Sequence, residues 1–313
     1  MKKLLIAVVA IVVAFFVFVY FFIPAQIEFQ VTKYAVVNPT AATRVLMVEK
    51  NWHKWWPQQK ENHQPDSEFF FKNSSFTISH QLYNAFKIDV ANKNDSIHSL
   101  LSVVPTSFDT TQLQWNAVLN TSSNPFKRIE RYWGMSETKQ EMEAILASLV
   151  SFLQKQENVY GMQIKREIVK DTLLVFKEEM TNAFPSTSSI YKLVGALKNH
   201  IKEAGANETN SPMMNVIELG PGKYRVMVAI PVDREFTATN SISFRRMVQG
   251  YILVSDITGG PVTIKNASIE MRTFVNDYSK IPIALPFELM VTDRIAEPDT
   301  SKWVTRLYFP IVL

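Results

Sequence analysis

The sequence contains no cysteine. That absence excludes disulfide bridges, thiolate nucleophiles, zinc–thiolate sites and a lipidated N-terminal cysteine. Glycine is also scarce, with 9 in 313 residues, and no low-complexity tract is present, so the composition is that of a folded protein. The net charge is only +4 and the basic residues are scattered. The charge pattern therefore predicts no nucleic-acid partner.

Charge is absent from one long stretch near the N-terminus. Residues 4–23 read LLIAVVAIVVAFFVFVYFFI, an uncharged run of about the twenty residues that a helix needs to cross a bilayer. Lys2 and Lys3 precede the run and the next basic residue is Lys33, so the positive-inside rule predicts a cytoplasmic N-terminus and a periplasmic or extracellular body. We predict a single-pass transmembrane anchor at residues 1–26 that contacts the membrane through residues 4–23.

A cleaved signal peptide is the alternative to this anchor, because Ala25 could stand at a cleavage site. The apolar run is longer than the about 7–15 residues usual in signal peptides, and no A-x-A pattern follows it. The pattern therefore favours the anchor.

The remaining part of the chain, about 290 residues, is long enough for two domains. In the first, predicted for residues 27–157, a strand with alternating Ile27, Phe29 and Val31 leads to a short helix and the cluster NWHKWWP. A closing helix is predicted to start at a capping box of Thr138 and Glu141. Between them, alternating stretches predict an antiparallel meander: FFFKNSSFTISHQ, AFKIDVANK, IHSLLSVVP, TQLQWNAVL and KRIERYWGM.

The densest basic cluster lies in the last of these stretches. Lys127, Arg128 and Arg131 occur in PFKRIERYW, where apolar and charged residues partly alternate. The alternation favours a half-exposed strand over a lipid-headgroup site.

The order of elements, together with VVNPTAATRVLMVEKNWHKWWP, resembles the START-like family (polyketide cyclase-like, SRPBCC). This resemblance implies a helix-grip fold with a cavity between a curved sheet and a long helix. Trp52, Trp55 and Trp56 would line the mouth of such a cavity or, as tryptophan clusters more often do, pack in the core.

The second domain, predicted for residues 160–313, repeats one plan twice. TLLVFKEEM, SSIYKLVGALKNHIKEAG, MMNVIEL and KYRVMVAIPVD read as strand, helix, strand and strand. GYILVSDIT, VTIKNASIEMRTFVND, FELMVTD and VTRLYFPIV then follow in the same order. The predicted fold class is α+β, with an N-terminal transmembrane helix, a helix-grip domain and a duplicated β-α-β-β domain.

This duplicated unit resembles the gyrase-inhibitor-like (GyrI-like) effector-binding family. The resemblance rests on Gly-Gly-Pro before the second helix, on PFELMVTD and on the terminal RLYFPI. It departs from the family pattern at Met290 and Val291, which replace Tyr-Leu, and at Arg294, which stands where proline is common. The resemblance implies two helices on one face of a pseudo-twofold sheet and a cleft that holds small, often cationic and aromatic, molecules.

The pocket carboxylate of that family transfers onto Glu288. A partly buried glutamate among aromatic rings would attract a lipophilic cation, because the charge of the cation offsets the desolvation of the carboxylate. An exposed edge-strand glutamate is the alternative. The predicted aromatic wall of the ligand site consists of Phe176, Phe184, Tyr191, Tyr251, Phe274, Trp303 and Tyr308, although a ring of this kind is more often part of the core.

These observations predict a membrane-anchored protein that senses or sequesters lipophilic or cationic aromatic compounds. No metal site is expected, because the histidines at 53, 63, 80, 98 and 200 lack ligand spacing, and no cofactor is expected. Two alternatives remain: a small-molecule hydrolase with Glu288 as general base, and a non-catalytic interaction platform at the membrane.

Overall fold

The computed structural model describes residues 2–57, 67–92, 95–170, 173–239 and 241–312. His63 and Thr172, which belong to the histidine set and to the first predicted strand of the second domain, lie outside these ranges. The chain divides into two compact units, Met1–Lys155 and Gln156–Leu313. Each unit has its own antiparallel sheet.

The first unit begins with helix α1, Lys2–Phe22. The described side chains of α1 exclude those of Lys2 and Leu5. Among the helices so described, none is both long and apolar enough to cross a membrane. The predicted anchor stays a prediction.

Six strands form the sheet of the first unit as far as its residues are described, in the order β1-β6-β5-β4-β3-β2. Helix α2 begins after Asn38, whose side chain accepts hydrogen bonds from the backbone N–H groups of Thr40 and Ala41. The elements after α1 are β1 Gln26–Ala35, α2 Pro39–Leu46, a 3₁₀ turn Glu49–Asn51, α3 Trp52–Trp55, β2 Glu68–Phe71, β3 Ser74–Gln81, β4 Ala85–Asn92, β5 Asp95–Pro105, β6 Thr111–Asn120 and α4 Pro125–Leu153.

Helix α4 corrects two predictions. The stretch KRIERYWGM is helical, not a strand, and the proposed capping box of Thr138 and Glu141 lies in the middle of the helix. The helix starts earlier because the Asn124 side chain accepts hydrogen bonds from the N–H groups of the first turn and Pro125 takes the first helical position. A short alternation of apolar and charged residues was thus a weaker signal than an Asn-Pro helix start.

Arg128 has a structural role that the strand interpretation missed. Its side chain is buried, and Nε donates a hydrogen bond to the Ile23 carbonyl at 2.7 Å. The guanidinium carbon also lies 4.9 Å from the centre of the Tyr20 ring. Arg128 therefore ties the end of α1 to the start of α4.

The three clustered tryptophans belong to the core of the first unit. Trp52, Trp55 and Trp56 are between 0% and 4% exposed. The Trp52 indole donates to the Leu46 carbonyl and the Trp56 indole to the Phe70 carbonyl, both at 2.8 Å. Because their faces pack on neighbouring rings, these side chains stabilise the fold from inside.

The second unit contains nine strands, three α-helices and a 3₁₀ turn, Thr300–Lys302, within the described residues. Its sheet runs in the order β11-β8-β10-β9-β14-β15-β12-β7, and β13 pairs with β15. The elements are α5 Gln156–Tyr160, β7 Lys165–Ile168, β8 Leu173–Thr181, α6 Thr187–Glu203, β9 Met213–Gly220, β10 Lys223–Pro231, β11 Ser243–Arg246, β12 Tyr251–Thr258, α7 Pro261–Asp277, β13 Ile281–Pro282, β14 Phe287–Met290 and β15 Val304–Val312.

The second sheet is built from two equivalent halves. In one half β8, α6, β9 and β10 follow one another, and in the other β12, α7, β14 and β15 have the same order, with the short strand β13 between α7 and β14. Strands β9 and β14 meet antiparallel at the centre, with Met214 opposite Glu288 and Met213 opposite Leu289. This arrangement is a mixed α+β fold compatible with the GyrI-like fold.

The two faces of the second sheet carry different residues. One face, here called the α6 face, packs α6 against Val226, Val228 and Met290. Neighbouring residues of a strand point to opposite faces, and a second cluster of Leu174, Met213, Ala229 and Leu289 accordingly lies on the other side, here called the opposite face.

We predict that Asn124→Ala destabilises the first unit by about 1 kcal/mol, because α4 loses its N-cap. Asn124→Ser, which keeps a capping oxygen, should cost little. Denaturant unfolding followed by tryptophan fluorescence would measure both, since the sequence places five of its six tryptophans in the first unit. A helix that starts at Thr138 would leave the stability of both variants unchanged.

Candidate functional site

Glu288 lies on the central strand β14, not on an edge of the sheet. Its side chain points to the α6 face, on the same side as Met290, and is 27% exposed. Burial raises the pKa of this carboxyl above its ordinary value, whereas the neighbouring Arg294 acts to lower it. The predicted pocket carboxylate is thus partly buried, but it does not stand alone.

Arg294 supplies the positive charge next to Glu288. Its side chain is only 6% exposed, and Nη2 lies 3.4 Å from Glu288 Oε2. The same nitrogen donates to Thr305 Oγ1 at 2.8 Å. The guanidinium carbon lies 5.0 Å from the centre of the Trp303 ring. Arg294, a residue of this protein, therefore occupies the position that the resemblance implies for the cation of a ligand.

Tyr191 completes this group from α6. Its hydroxyl accepts a hydrogen bond from the backbone N–H of Arg294 at 2.6 Å. Burial is the main reason that the pKa of Tyr191 is raised. The contact holds the loop after β14 against the helix, so the buried guanidinium is fixed from the backbone as well as from its side chain.

The structure separates the other predicted aromatic residues from Glu288. Phe176 and Tyr308 pack at the cluster on the opposite face. Phe184 is 65% exposed and contacts Tyr224 edge to face. Tyr251 lies under the Arg166 guanidinium, 5.0 Å from its carbon.

Phe274 is a core residue of α7. It is 8% exposed and packs edge to face on Tyr160. Of the seven predicted aromatic residues, only Tyr191 and Trp303 thus join Glu288 around Arg294, and no single wall contains the whole set.

A groove on the opposite face is lined mainly by apolar side chains. One cavity of about 160 Å³ lies between Met213, Met227, Met247, Leu285 and Phe287. A second cavity of about 200 Å³ shares Met213, Met247 and Phe287 with the first. Each cavity alone is smaller than about 300 Å³, the lower end of the volumes of small-molecule sites, and the three shared residues place the two side by side. We call this pair of cavities the methionine groove.

One predicted aromatic residue lines the methionine groove and a second packs beside it. Tyr308 lines the second cavity and stacks on Phe287 with ring centres 4.8 Å apart. Phe176 packs against the same apolar cluster. The methionines themselves were not predicted, because methionine carries no motif, and only the strand register shows that they converge.

Comparison with known proteins gives structural likenesses only. No family model and no curated protein matches the chain. The C-terminal domain of EcmrR is 18% identical and covers 48% of this chain and 98% of its own, with a TM-score of 0.43. SAV2435 bound to tetraphenylphosphonium is 14% identical, covering 48% and 94%, with a TM-score of 0.34. A hydrolase from Listeria innocua is 10% identical, covering 48% and 92%, with a TM-score of 0.37.

EcmrR and SAV2435 have GyrI-like effector-binding folds. The identities and TM-scores are too low to assign this chain to a family. The START-like part of the resemblance stays a prediction.

We predict that Arg294→Met destabilises the second unit by about 3 kcal/mol at about pH 7, because Glu288 loses its buried partner. The loss should shrink as the pH falls. Arg294 lowers the pKa of Glu288, so its removal raises that pKa further. When the pKa of a carboxyl is higher in the folded state than in the unfolded state, the free energy of unfolding decreases as the pH rises between these two pKa values.

Urea unfolding at about pH 4 and at about pH 7 would measure this difference. The control is the double variant Arg294→Met with Glu288→Gln, which has no carboxyl to titrate at this position. An equal loss for Arg294→Met at both pH values would show that the two side chains are not coupled.

Proposed function

We propose that the second unit is a binding module that takes up a lipophilic small molecule in the methionine groove. The observation that carries this proposal is the apolar cavity over the central strands, bordered by Met213, Met227 and Met247. Methionine side chains are flexible and polarizable, and they adapt to ligands of varied shape. A groove of this kind suits a class of lipophilic compounds better than one rigid substrate.

Glu288 is not the centre of this proposed site. An external cation at Glu288 would have to displace Arg294, whose side chain is 6% exposed. Arg294 would then be a buried charge without its partner, which costs about 3–5 kcal/mol when the pair is fully buried. The lipophilic part of the predicted ligand class is therefore better supported by the structure than the cationic part.

The two alternative functions differ in their support. The partner of Glu288 is the guanidinium of Arg294, which donates hydrogen bonds but has no acceptor atom, so it offers no second acid–base group for a hydrolase. The interaction platform has one observation in its favour, since the predicted cation position is filled by the chain itself. A platform without a ligand predicts that no small molecule saturates the groove.

We predict that Met227→Trp abolishes saturable binding of a neutral lipophilic dye such as Nile red, because the indole fills the groove. Met180→Trp is the matched control. Met180 points to the same side of the sheet two register positions from Met227, is 64% exposed and does not line the cavities. Fluorescence titration of the purified full chain would measure both. Equal binding by the two variants, or no saturable binding by the parent protein, would contradict the proposal.

We further propose that α1 tethers the protein to a membrane, with the N-terminus in the cytoplasm and the body on the other side. The support is the uncharged run of residues 4–23 behind Lys2 and Lys3. Large apolar side chains along α1 are also exposed, including Leu4 at 74%, Ile11 at 69% and Phe21 at 80%. Apolar surface of this extent marks a membrane or protein contact.

Deletion of residues 2–23 should move the protein from the membrane fraction to the soluble fraction. Carbonate extraction of membranes followed by immunoblotting would measure this change. The substitution Ile11→Lys is a second test that keeps the length of the chain, and it should weaken membrane retention because a lysine near the helix centre disfavours insertion. A full chain that carbonate releases from membranes would contradict the tether.

A further inference from the structure

The charged residues that line the first cavity of the methionine groove have one sign. Arg245 and Arg246 line the first cavity, and none of the residues that line it is acidic. Arg246 is engaged by Glu235, with Nη2 2.8 Å from Oε1. Arg245 contacts a thioether and an aromatic ring instead of a carboxylate. Its Nη1 lies 3.8 Å from the Met227 sulfur, and its guanidinium carbon lies 4.7 Å from the centre of the Phe176 ring.

Arg245 has no carboxylate within ion-pair distance in the described part of the chain. Glu178 is the acidic residue closest to it in strand register. It lies opposite Met227, two residues from Phe176 on the same side of β8. Glu178 forms no ion pair with Arg245, and its side chain is exposed, so water and salt screen the charge between them.

The second cavity also has more basic than acidic lining residues. It is bordered by one acidic residue, Glu167, and by the basic residues Lys170 and Arg306. Arg306 is held by Asp256, with Nε 2.6 Å from Oδ1. The guanidinium that remains available at the groove is therefore that of Arg245.

We infer that the ligand of the methionine groove is an amphiphilic anion, such as an alkyl chain with a carboxylate head, and that Arg245 binds the head. This inference rests on the proposed binding function. The apolar floor takes the chain, and the rim offers planar N–H donors, which suit a carboxylate. The carboxylate that would attract a cation, Glu288, points to the other face and is already paired with Arg294.

Three probes with the same alkyl chain separate head-group charge from chain burial. Decanoate, decanol and decyltrimethylammonium, each below its critical micelle concentration, would be titrated by calorimetry into the full chain in amphipol, with protein-free amphipol as the blank. We expect decanoate to bind about tenfold more tightly than decanol, as one charge-assisted contact provides, and the cation to bind most weakly. The preference for decanoate should weaken as salt is added.

Variants of Arg245 assign the preference to one side chain. Arg245→Gln should reduce the affinity for decanoate to that for decanol and leave decanol unchanged, whereas Arg245→Lys should keep part of the preference. Arg272→Gln is the control for net charge, because Arg272 is exposed on α7 and lines neither cavity.

The possible outcomes distinguish the two proposals. Equal binding of the three probes, tightest binding of the cation, or an Arg245→Gln variant that keeps the preference would overturn the anionic ligand while the groove remained a binding site. Failure of all three probes to bind would overturn the proposed function as well.

Discussion

The antiparallel contact between β9 and β14 is the constraint on which the second unit depends. Among the described residues its register pairs Met214 with Glu288 and Met213 with Leu289, the Met290 N–H donates to the Pro212 carbonyl beside them, and the contact joins the two halves of the sheet. Because consecutive residues of a strand point to opposite sides, this short contact places Glu288 and Met214 on one face and Met213 and Leu289 on the other. The ion pair and the methionine groove are consequently back to back across one layer of strands.

The two faces of the second sheet differ in whether their buried or bordering charges are paired. On the α6 face the carboxylate of Glu288 is neutralised by a guanidinium that is itself held by Thr305, Trp303 and the Tyr191 contact. On the opposite face the guanidinium of Arg245 lies over an aromatic ring without an ion-pair partner among the described residues. The first arrangement stabilises the fold, and the second leaves a positive charge beside an apolar cavity.

Periodicity in the sequence was sufficient for much of the fold. The alternating stretches of the first unit and the two β-α-β-β repeats of the second correspond to strands and helices of the structure. The first part of α4 was not predicted, because alternation over a few residues also occurs on a helix. Strands β7 and β11 were missed as well, since each is only four residues long.

The candidate site was harder to predict because it depends on strand register. The sequence identified Glu288 but grouped Phe176 and Tyr308 with it, although cross-strand pairing places them on the other face. It also noted Arg294 as a departure from the family pattern without predicting the ion pair. The turn that brings residue 294 back over residue 288 depends on a hydrogen bond to Tyr191, 103 positions away, and no local pattern encodes such a contact.

The short connection between α1 and β1 has a mechanical consequence. Only three residues separate Phe22 from the start of β1 at Gln26, and Arg128 binds the carbonyl in that short connection. A connection this short, held by a hydrogen bond, is not a flexible linker. A change in the tilt of α1 therefore also changes the orientation of β1, and the helix and the sheet of the first unit move together.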